Sequence, residues 1–421
     1  MIDIDCTAAG NEAAGNMYER SELDCPISSV PAVHAAPVPN GSAKEYPAAL
    51  TEHMTLADKK FEKAIGVMGM EYPISLYYDT EVSDVKTLDL CRGDDDFRKI
   101  YIADDGHRKL VIKYLSNTFS DKHRIEGWFR LMDEYRKIGL YCPAVVPNRR
   151  GELLHCDTAD GRDYYTYAEE YSVYETAEHI GEEKYKDAQG HVCFMPDLMR
   201  SLGKIASAGL DILDWPSACC LLEPFCAPDT TDETTECAEA FAKYIRENLP
   251  EHSARAEALL KMFYERQEEL RAVYHLLPTS CFQADLNDSN ILLDDNNNFV
   301  GLIDFNMCGK EPILNYTVRE ALWGVSDKRL LEENGSRLYF YDKESDDLRI
   351  KLFLENIGYI RENYRFSEFE KSVFPNLYRY MNSFCWISLN EITLIKDNEN
   401  KVTQLFDWIE YQMTRNDILL P

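Results

Sequence analysis

Three polar residues between Cys281 and Phe305 have the side chains and the spacing that phosphoryl transfer needs. Asp285 and Asn290 are separated by four residues, and Asp304 follows in an Ile-Asp-Phe sequence. Phosphoryl transfer uses one carboxylate to orient the attacking hydroxyl, and oxygen ligands to hold Mg²⁺ across the phosphates of ATP. We therefore interpret Asp285 as a catalytic base, and Asn290 and Asp304 as magnesium ligands.

A short hairpin is expected to hold these residues together. Residues 291–293 and 299–303 have strand character, and the Asp- and Asn-rich sequence 294–298 between them is typical of a turn. In loops, Asp and Asn often do no more than satisfy backbone groups. The combination of Asp-x4-Asn with Ile-Asp-Phe at hairpin distance favours the catalytic interpretation.

A lysine for the ATP phosphates is expected on the third of three strands that come earlier in the chain. These strands are predicted at 85–91, 98–103 and 109–115, and Asp104-Asp105-Gly106 supplies a tight turn between the last two. Lys113 lies in the third strand, where kinases place the lysine that contacts the α and β phosphates. The alternative is an ordinary exposed strand lysine.

With these motifs the chain resembles the aminoglycoside phosphotransferase and choline kinase group of protein-kinase-like enzymes. The sequences Asp285-Leu-Asn-Asp-Ser-Asn-Ile-Leu and Gly301-Leu-Ile-Asp-Phe are similar to the catalytic and metal-binding segments of that family. The resemblance is sharp over residues 281–312 and diffuse elsewhere. It implies an α+β, two-lobed protein-kinase-like fold with a small antiparallel-sheet N-lobe and a larger, mainly helical C-lobe. It also implies ATP- and Mg²⁺-dependent transfer of phosphate to a hydroxyl group of a small molecule.

The resemblance further assigns nucleotide contacts in the N-lobe. It pairs Lys113 with a glutamate on the next helix, whose apolar stripe is predicted at residues 125, 128, 129, 132 and 135. Glu126 is the preferred glutamate; it lies off that stripe, and Glu134 competes with it. The strand that ends with Glu169 and Tyr171 is expected to be the hinge whose backbone binds the adenine edge. A plain buried strand is the alternative.

Two places depart from the family pattern. Gln283 and Ala284 stand where the family usually has His and Gly before the catalytic aspartate. Glutamine can hydrogen-bond but cannot titrate near neutral pH, so we expect at most a bracing role for it. The first hairpin loop, residues 91–97, carries one glycine and three consecutive acids, which would repel phosphates if they pointed inward.

The length of 421 residues predicts two cooperating lobes. Residues 1–50, rich in Ala, Pro, Gly and Ser, are expected to form a flexible leader, residues 51–168 the N-lobe and residues 169–421 the C-lobe. Helical patterns are expected in the following ranges: 56–68, 195–208, 236–248, 254–274, 348–362, 376–395 and 402–413.

The charge balance restricts the partners. Asp and Glu outnumber Lys and Arg by 74 to 45, giving a formal charge of −29, which argues against a nucleic acid partner. The acidity would attract a cationic substrate, and a solvated surface that keeps the protein soluble is the alternative. The acidic start of the chain does not fit a signal peptide, and no apolar run suits a membrane span. These features predict a cytoplasmic protein without a membrane partner.

Three functions remain to be compared. The leading hypothesis is a small-molecule kinase whose substrate pocket is built after residue 310. Tyr316, Trp323, Tyr378 and Trp386 are candidate pocket aromatics, although such residues on helices usually belong to the core. A pseudokinase or nucleotide-binding regulator is the second hypothesis. A protein kinase is disfavoured, because no Ala-Pro-Glu sequence follows Asp304.

Overall fold

The computed structural model describes residues 72–421 apart from positions 80, 81, 83, 94, 331–342 and 385. The side chains of residues 386 and 387 also lie outside the description. The predicted leader, residues 1–50, and the predicted helix 56–68 lie outside the described residues.

An antiparallel sheet forms the N-terminal part of the structure. Its strands are β1 Asp84–Asp89, β2 Phe97–Asp104, β3 Lys109–Ser116, β4 Val145–Val146, β5 His155–Ala159 and β6 Arg162–Glu170. The order is β1-β2-β3-β6-β4, with β5 also paired to β6. The predicted β2–β3 hairpin is confirmed: Asp104 is opposite Lys109, and Gly106 in the turn has φ +84°. The Asp104 carboxylate accepts a hydrogen bond from the backbone N–H of Gly106 at 2.8 Å, which fixes the turn.

Helix α1, Lys122–Lys137, follows the sheet's third strand. Asp121 caps it by accepting the backbone N–H of Arg124 at 2.9 Å, as Asp does at helix N-termini. The predicted apolar stripe is confirmed, since residues 125, 128, 129, 132 and 135 are all buried. These side chains belong to the same hydrophobic core as the C-terminal helices. At Gly127 a Cβ would overlap the indole ring of Trp215, so α1 is packed directly against the C-terminal part.

The remainder of the described chain is mainly helical. The helices are α2 Ala177–Ile180, α3 Glu182–Tyr185, α4 Met195–Ala208, α5 Glu233–Asn248, α6 Ser253–Tyr274, α7 Ile313–Trp323, α8 Lys343–Arg361, α9 Glu368–Met381, α10 Trp386–Ile395 and α11 Glu399–Thr414. Short strands lie among them: β7 Glu175–Thr176, β8 Thr279–Phe282, β9 Ile291–Leu293, β10 Phe299–Leu302 and β11 Gly309–Pro312. Among the described helices, none is both long enough and apolar enough to cross a membrane. The α+β, two-lobed fold expected from the sequence is confirmed.

The single helix expected at 376–395 is wrong. The chain forms α9 and α10 instead, and residues 382–384 after α9 are not helical. There the Asn382 amide donates to Tyr378 O at 3.0 Å, and the Ser383 hydroxyl donates to Tyr380 O at 2.7 Å. Side chains that bond nearby backbone carbonyls in this way favour helix ends over helix interiors.

Candidate active site

The catalytic loop between β8 and β9 surrounds Asp285 with amide donors. Asn287 donates to one oxygen of the Asp285 carboxylate at 2.5 Å, and Asn290 donates to the other at 2.8 Å. Burial, assisted by the charge of Asp304, raises the pKa of Asp285 to about 7. A carboxylate with a pKa in this range is suited to accept a proton near neutral pH.

Gln283 ties the catalytic loop to the loop that carries Asp304. Its side-chain amide donates to the backbone oxygens of Ile303 at 3.0 Å and Asp304 at 2.6 Å. Its side-chain oxygen accepts the backbone N–H of Asp285 at 2.8 Å. A neutral amide can donate and accept at the same time, so this residue braces both loops without titrating.

Both loops contain backbone in the left-handed region. Ala284 has φ +65° and Asp304 has φ +56°. Alanine rarely adopts this conformation because its Cβ approaches the following carbonyl oxygen, at a cost of roughly 1–2 kcal/mol. The Gln283 amide that bonds on both sides of these positions helps to hold them there.

Asp304 meets Lys113 from β3 across the interface between the sheet and the hairpin β9–β10. The Lys113 ammonium lies 3.4 Å from the Asp304 carboxylate and 3.2 Å from the Glu169 carboxylate. Burial alone would lower the pKa of Lys113, but Asp304 and then Glu169 raise it well above its ordinary value. Lys113 is therefore a buried cation, with its side chain 8% exposed, and the alternative of an ordinary exposed lysine is wrong.

The ion pair expected between Lys113 and Glu126 is not formed in the structure. Glu126 is about half exposed and its carboxylate lies 3.8 Å from Lys122 on the same helix. Glu134, the competing candidate, bonds Lys137 at 2.7 Å. Both acids lie off the apolar stripe of α1, and the stripe is the face that the helix turns to the core. Lys113 instead contacts Glu169 from β6 at 3.2 Å.

The predicted hinge is the end of β6. Tyr171 is partly exposed, and its backbone N–H donates to Lys109 O at 3.0 Å. That donor is already engaged, so a contact from Tyr171 to an adenine edge would use its carbonyl oxygen. The Glu169 side chain points to Lys113, and the residue is paired with Val111 of β3 and Val145 of β4. The hinge role of both residues stays a prediction.

The donor set for a metal consists of oxygen atoms, as Mg²⁺ prefers. Asp304 offers a carboxylate whose side chain is 36% exposed. Asn290 uses its NH₂ group for Asp285, which leaves its amide oxygen as the coordinating atom. The residues predicted as magnesium ligands therefore fit that ion in chemistry.

A small, open cavity of about 50 Å³ lies beside the catalytic loop. Its described lining residues are Leu221, Glu233, Thr234, Cys237, Asn315, Arg319, Trp323 and Met381. Asn315 donates to Cys219 O at 3.0 Å, and the Cys219 thiol donates to Ala284 O at 3.4 Å. This chain of contacts connects the cavity to the residue that precedes Asp285.

Two buried acids that the sequence did not reveal, Glu311 and Glu320, follow Asp304 in the chain. Burial raises the pKa of Glu311 to about 8 and that of Glu320 to about 7. Glu311 accepts hydrogen bonds from Ser217 and Asn315, and Glu320 contributes to the raised pKa of Asp285. No motif marks these acids, and their only sequence signal is their place just after the catalytic segment.

The four candidate pocket aromatics have different positions. Trp323 lines the cavity. Tyr316 and Tyr378 are core residues, each 1% exposed, and Tyr316 stacks on Phe282 with ring centroids 4.2 Å apart. The side chain of Trp386 lies outside the described residues.

Comparison with known proteins gives two family matches. The model of a family described as "Phosphotransferase enzyme family" matches residues 87–315, more than half of the chain. The model of a family of unknown function matches residues 1–57. The sequence matches no curated protein.

Several solved structures are similar to this chain. An amicoumacin kinase in complex with AMP-PNP, Ca²⁺ and its ligand is 12% identical, with a TM-score of 0.47, over 86% of this chain and 94% of that one. A spectinomycin phosphotransferase with ADP and spectinomycin is 12% identical, with a TM-score of 0.44, over 85% and 94%. A choline kinase from Cryptosporidium parvum is 12% identical, with a TM-score of 0.38, over 84% and 93%.

Proposed function

The chain belongs to the phosphotransferase enzyme family, and from this premise we propose that it uses Mg²⁺ to transfer the γ-phosphate of ATP to a hydroxyl group of a small molecule. The observation that carries the proposal is the meeting of Lys113 and Asp304 at 3.4 Å, with Gln283 joining Asp304 to the loop of Asp285. Lys113 from β3 thereby supplies a cation, and the much later segment 285–304 supplies a base and an oxygen ligand. ATP as the donor also favours a cytoplasmic reaction.

Lys113 and Asp304 hold the nucleotide end of the site in this proposal. The Lys113 ammonium binds the α and β phosphates, and Asp304 with the Asn290 oxygen holds Mg²⁺. When bound, Mg²⁺ neutralises phosphate charge that would otherwise repel Asp304 and Asp285. The adenine of ATP lies against the backbone at the end of β6, near Glu169 and Tyr171, in this proposal.

Asp285 acts on the acceptor. Its carboxylate accepts the hydroxyl proton while the hydroxyl oxygen attacks the γ-phosphorus, and the bond from that phosphorus to the bridging oxygen breaks to release ADP. The amide groups of Asn287 and Asn290 hold both carboxylate oxygens, so the group is oriented before the acceptor arrives. Gln283 keeps Asp285 and Asp304 at a constant separation.

The acceptor occupies the cavity beside the catalytic loop in this proposal, and its chemistry is that of an amine. Glu233 and Arg319 line the cavity with charges 3.9 Å apart, so these two charges offset each other. The formal charge of −29 favours a protonated amine as the acceptor, because an acidic protein attracts cations more than neutral sugars or carboxylates.

The test is acceptor-stimulated ATP consumption by the wild-type protein with Mg²⁺. The panel should contain aminoglycosides, amino alcohols including choline, hydroxy amino acids and neutral sugars, with Asp285→Asn as the inactive control. We expect at least one hydroxyl-bearing amine to stimulate turnover, and neutral sugars to fail. Stimulation by neutral sugars alone would refute the amine assignment. Tight Mg-ATP binding without transfer to any acceptor would favour the nucleotide-binding regulator.

A further inference from the structure

An aromatic layer separates helix α1 from Lys113. The ring of Phe129 lies 5.1 Å from the ring of Tyr167, and the ring of Trp128 lies 6.4 Å from it. The same Tyr167 ring lies next to Lys113, whose ammonium is 5.7 Å from the ring centroid. A carboxylate from α1 would have to displace this layer to reach the lysine. The acids Glu126, Asp133 and Glu134 instead pair with basic residues of their own helix.

The pairing of β3 with β6 places a carboxylate of the sheet itself next to Lys113. Lys113 is opposite Tyr167, and Val111 is opposite Glu169. Residues two apart on a strand share a face, so Lys113, Tyr167 and Glu169 all lie on one face of the sheet. Diagonal neighbours across paired strands are within reach of long side chains. The Lys113 ammonium and the Glu169 carboxylate meet at 3.2 Å, with the two side chains 8% and 6% exposed.

We propose that Glu169 is the positioning residue for Lys113, in the role that a glutamate of α1 was expected to fill. Both residues belong to one sheet, so the register of that sheet holds the Lys113 ammonium in place. The location of the ammonium then does not depend on the position of α1. The inference rests on the proposed binding of Mg-ATP by Lys113. It gives the Glu169 side chain a task that is separate from the hinge role of its backbone.

The role of Asp304 makes Glu169 more important when nucleotide is bound. In the structure Lys113 has two carboxylate neighbours, Asp304 and Glu169. Asp304 is the proposed metal ligand, so in the loaded site its charge is shared with the cation. Glu169 then remains as the carboxylate that fixes the direction of the lysine side chain toward the phosphates.

The experiment compares the same substitution on two neighbouring residues of β6. Glu169→Gln removes the carboxylate that contacts Lys113, whereas Glu170→Gln changes an exposed side chain on the opposite face of the strand. The dissociation constant of Mg-ATP, measured by calorimetry without acceptor, should rise about 10- to 100-fold for Glu169→Gln, as for loss of a hydrogen bond to a charged group. It should stay within about twofold for Glu170→Gln. The KM for Mg-ATP should rise more than kcat falls.

A second pair of variants covers the case in which Glu169→Gln unfolds. Lys113→Met and Lys113→Met/Glu169→Gln should bind Mg-ATP equally weakly, because Glu169 has no further effect once the lysine is absent. An additional loss in the double variant would overturn the inference, as would normal binding by Glu169→Gln or a tenfold loss in Glu126→Gln. Failure of the wild-type protein to bind Mg-ATP would instead refute the proposed function on which the inference rests.

Discussion

Replacing Lys113 by methionine should destabilise the folded protein even when no nucleotide is present. Methionine keeps the length and the apolar stem of the side chain but removes its charge. The Glu169 carboxylate, whose side chain is 6% exposed, then loses its cationic partner inside the protein. Burial already raises the pKa of Glu169, so the uncompensated charge adds to an existing penalty.

The size of the effect follows from the burial of the three groups. Removing one partner of a buried ion pair costs about 3–5 kcal/mol. Asp304 is 36% exposed and is partly screened by water, so Glu169 contributes most of the loss and we expect about 3 kcal/mol. In Lys113→Met/Glu169→Gln both charges are gone, and the remaining cost is that of a buried amide. The double variant should therefore be more stable than Lys113→Met by about 1–2 kcal/mol.

The assay is urea unfolding followed by tryptophan fluorescence, with a chelator present and nucleotide absent. Lys109→Met is the control on the same strand, since Lys109 is exposed and lies over the ring of Tyr171 at 3.9 Å. That control should change the free energy of unfolding by no more than about 1 kcal/mol. The reasoning fails if Lys113→Met costs less than about 1 kcal/mol, or if the double variant is less stable than Lys113→Met.

Three further predictions concern the residues that support the site. Gly301→Ala should destabilise the protein by several kcal/mol, measured by its melting temperature, because a Cβ would overlap the carbonyl oxygen of Tyr141. The control is Gly358→Ala in helix α8, where there is open space for a Cβ; it should be neutral or stabilising by up to about 1 kcal/mol. Glu311 has a pKa of about 8 against an ordinary 4.5, so the folded state keeps this proton at pH values where the unfolded state has lost it, and the resulting stability is lost as pH rises toward 8. In Glu311→Gln the unfolding free energy should therefore fall less steeply between about pH 6 and 8 than in the wild-type protein. An unchanged slope would contradict the burial of a protonated Glu311. Ala284→Gly should raise the unfolding free energy by about 1 kcal/mol at unchanged kcat, because glycine adopts the observed φ of +65° without strain. A lower unfolding free energy in this variant would show instead that the alanine side chain contributes to packing.

Features that depend on neighbouring residues in the chain could be predicted from the sequence. The turn at Gly106 and the helix 195–208 follow from local patterns, and the structure has both. The bracing role expected for Gln283 followed from its hydrogen-bonding capacity and its place before Asp285. The burial of Lys113 could not be predicted, because it depends on β6, which pairs with β3 from much later in the chain.

The choice of Glu126 shows how a family pattern can mislead where a local signal was correct. Its place off the apolar stripe of α1 indicated an exposed side chain, and the structure has it exposed. Glu169 could have been found only from the strand register, which sets it beside Lys113. The short strands β4, β8 and β11 were missed for a similar reason, since two to four residues have little pattern without their partners.

The central claim, that Asp285 and Asp304 act in one phosphotransfer site with different tasks, is tested by measuring Mg-ATP binding and single-turnover transfer for Asp285→Asn and Asp304→Ala. Asp285→Asn should bind Mg-ATP about as tightly as the wild-type protein while transfer slows by roughly 10²–10⁴-fold, because an amide cannot accept the hydroxyl proton. Asp304→Ala should lose the magnesium-dependent part of ATP binding, since the cation loses a carboxylate ligand. If both variants bind and transfer like the wild-type protein, the assignment of this site is wrong.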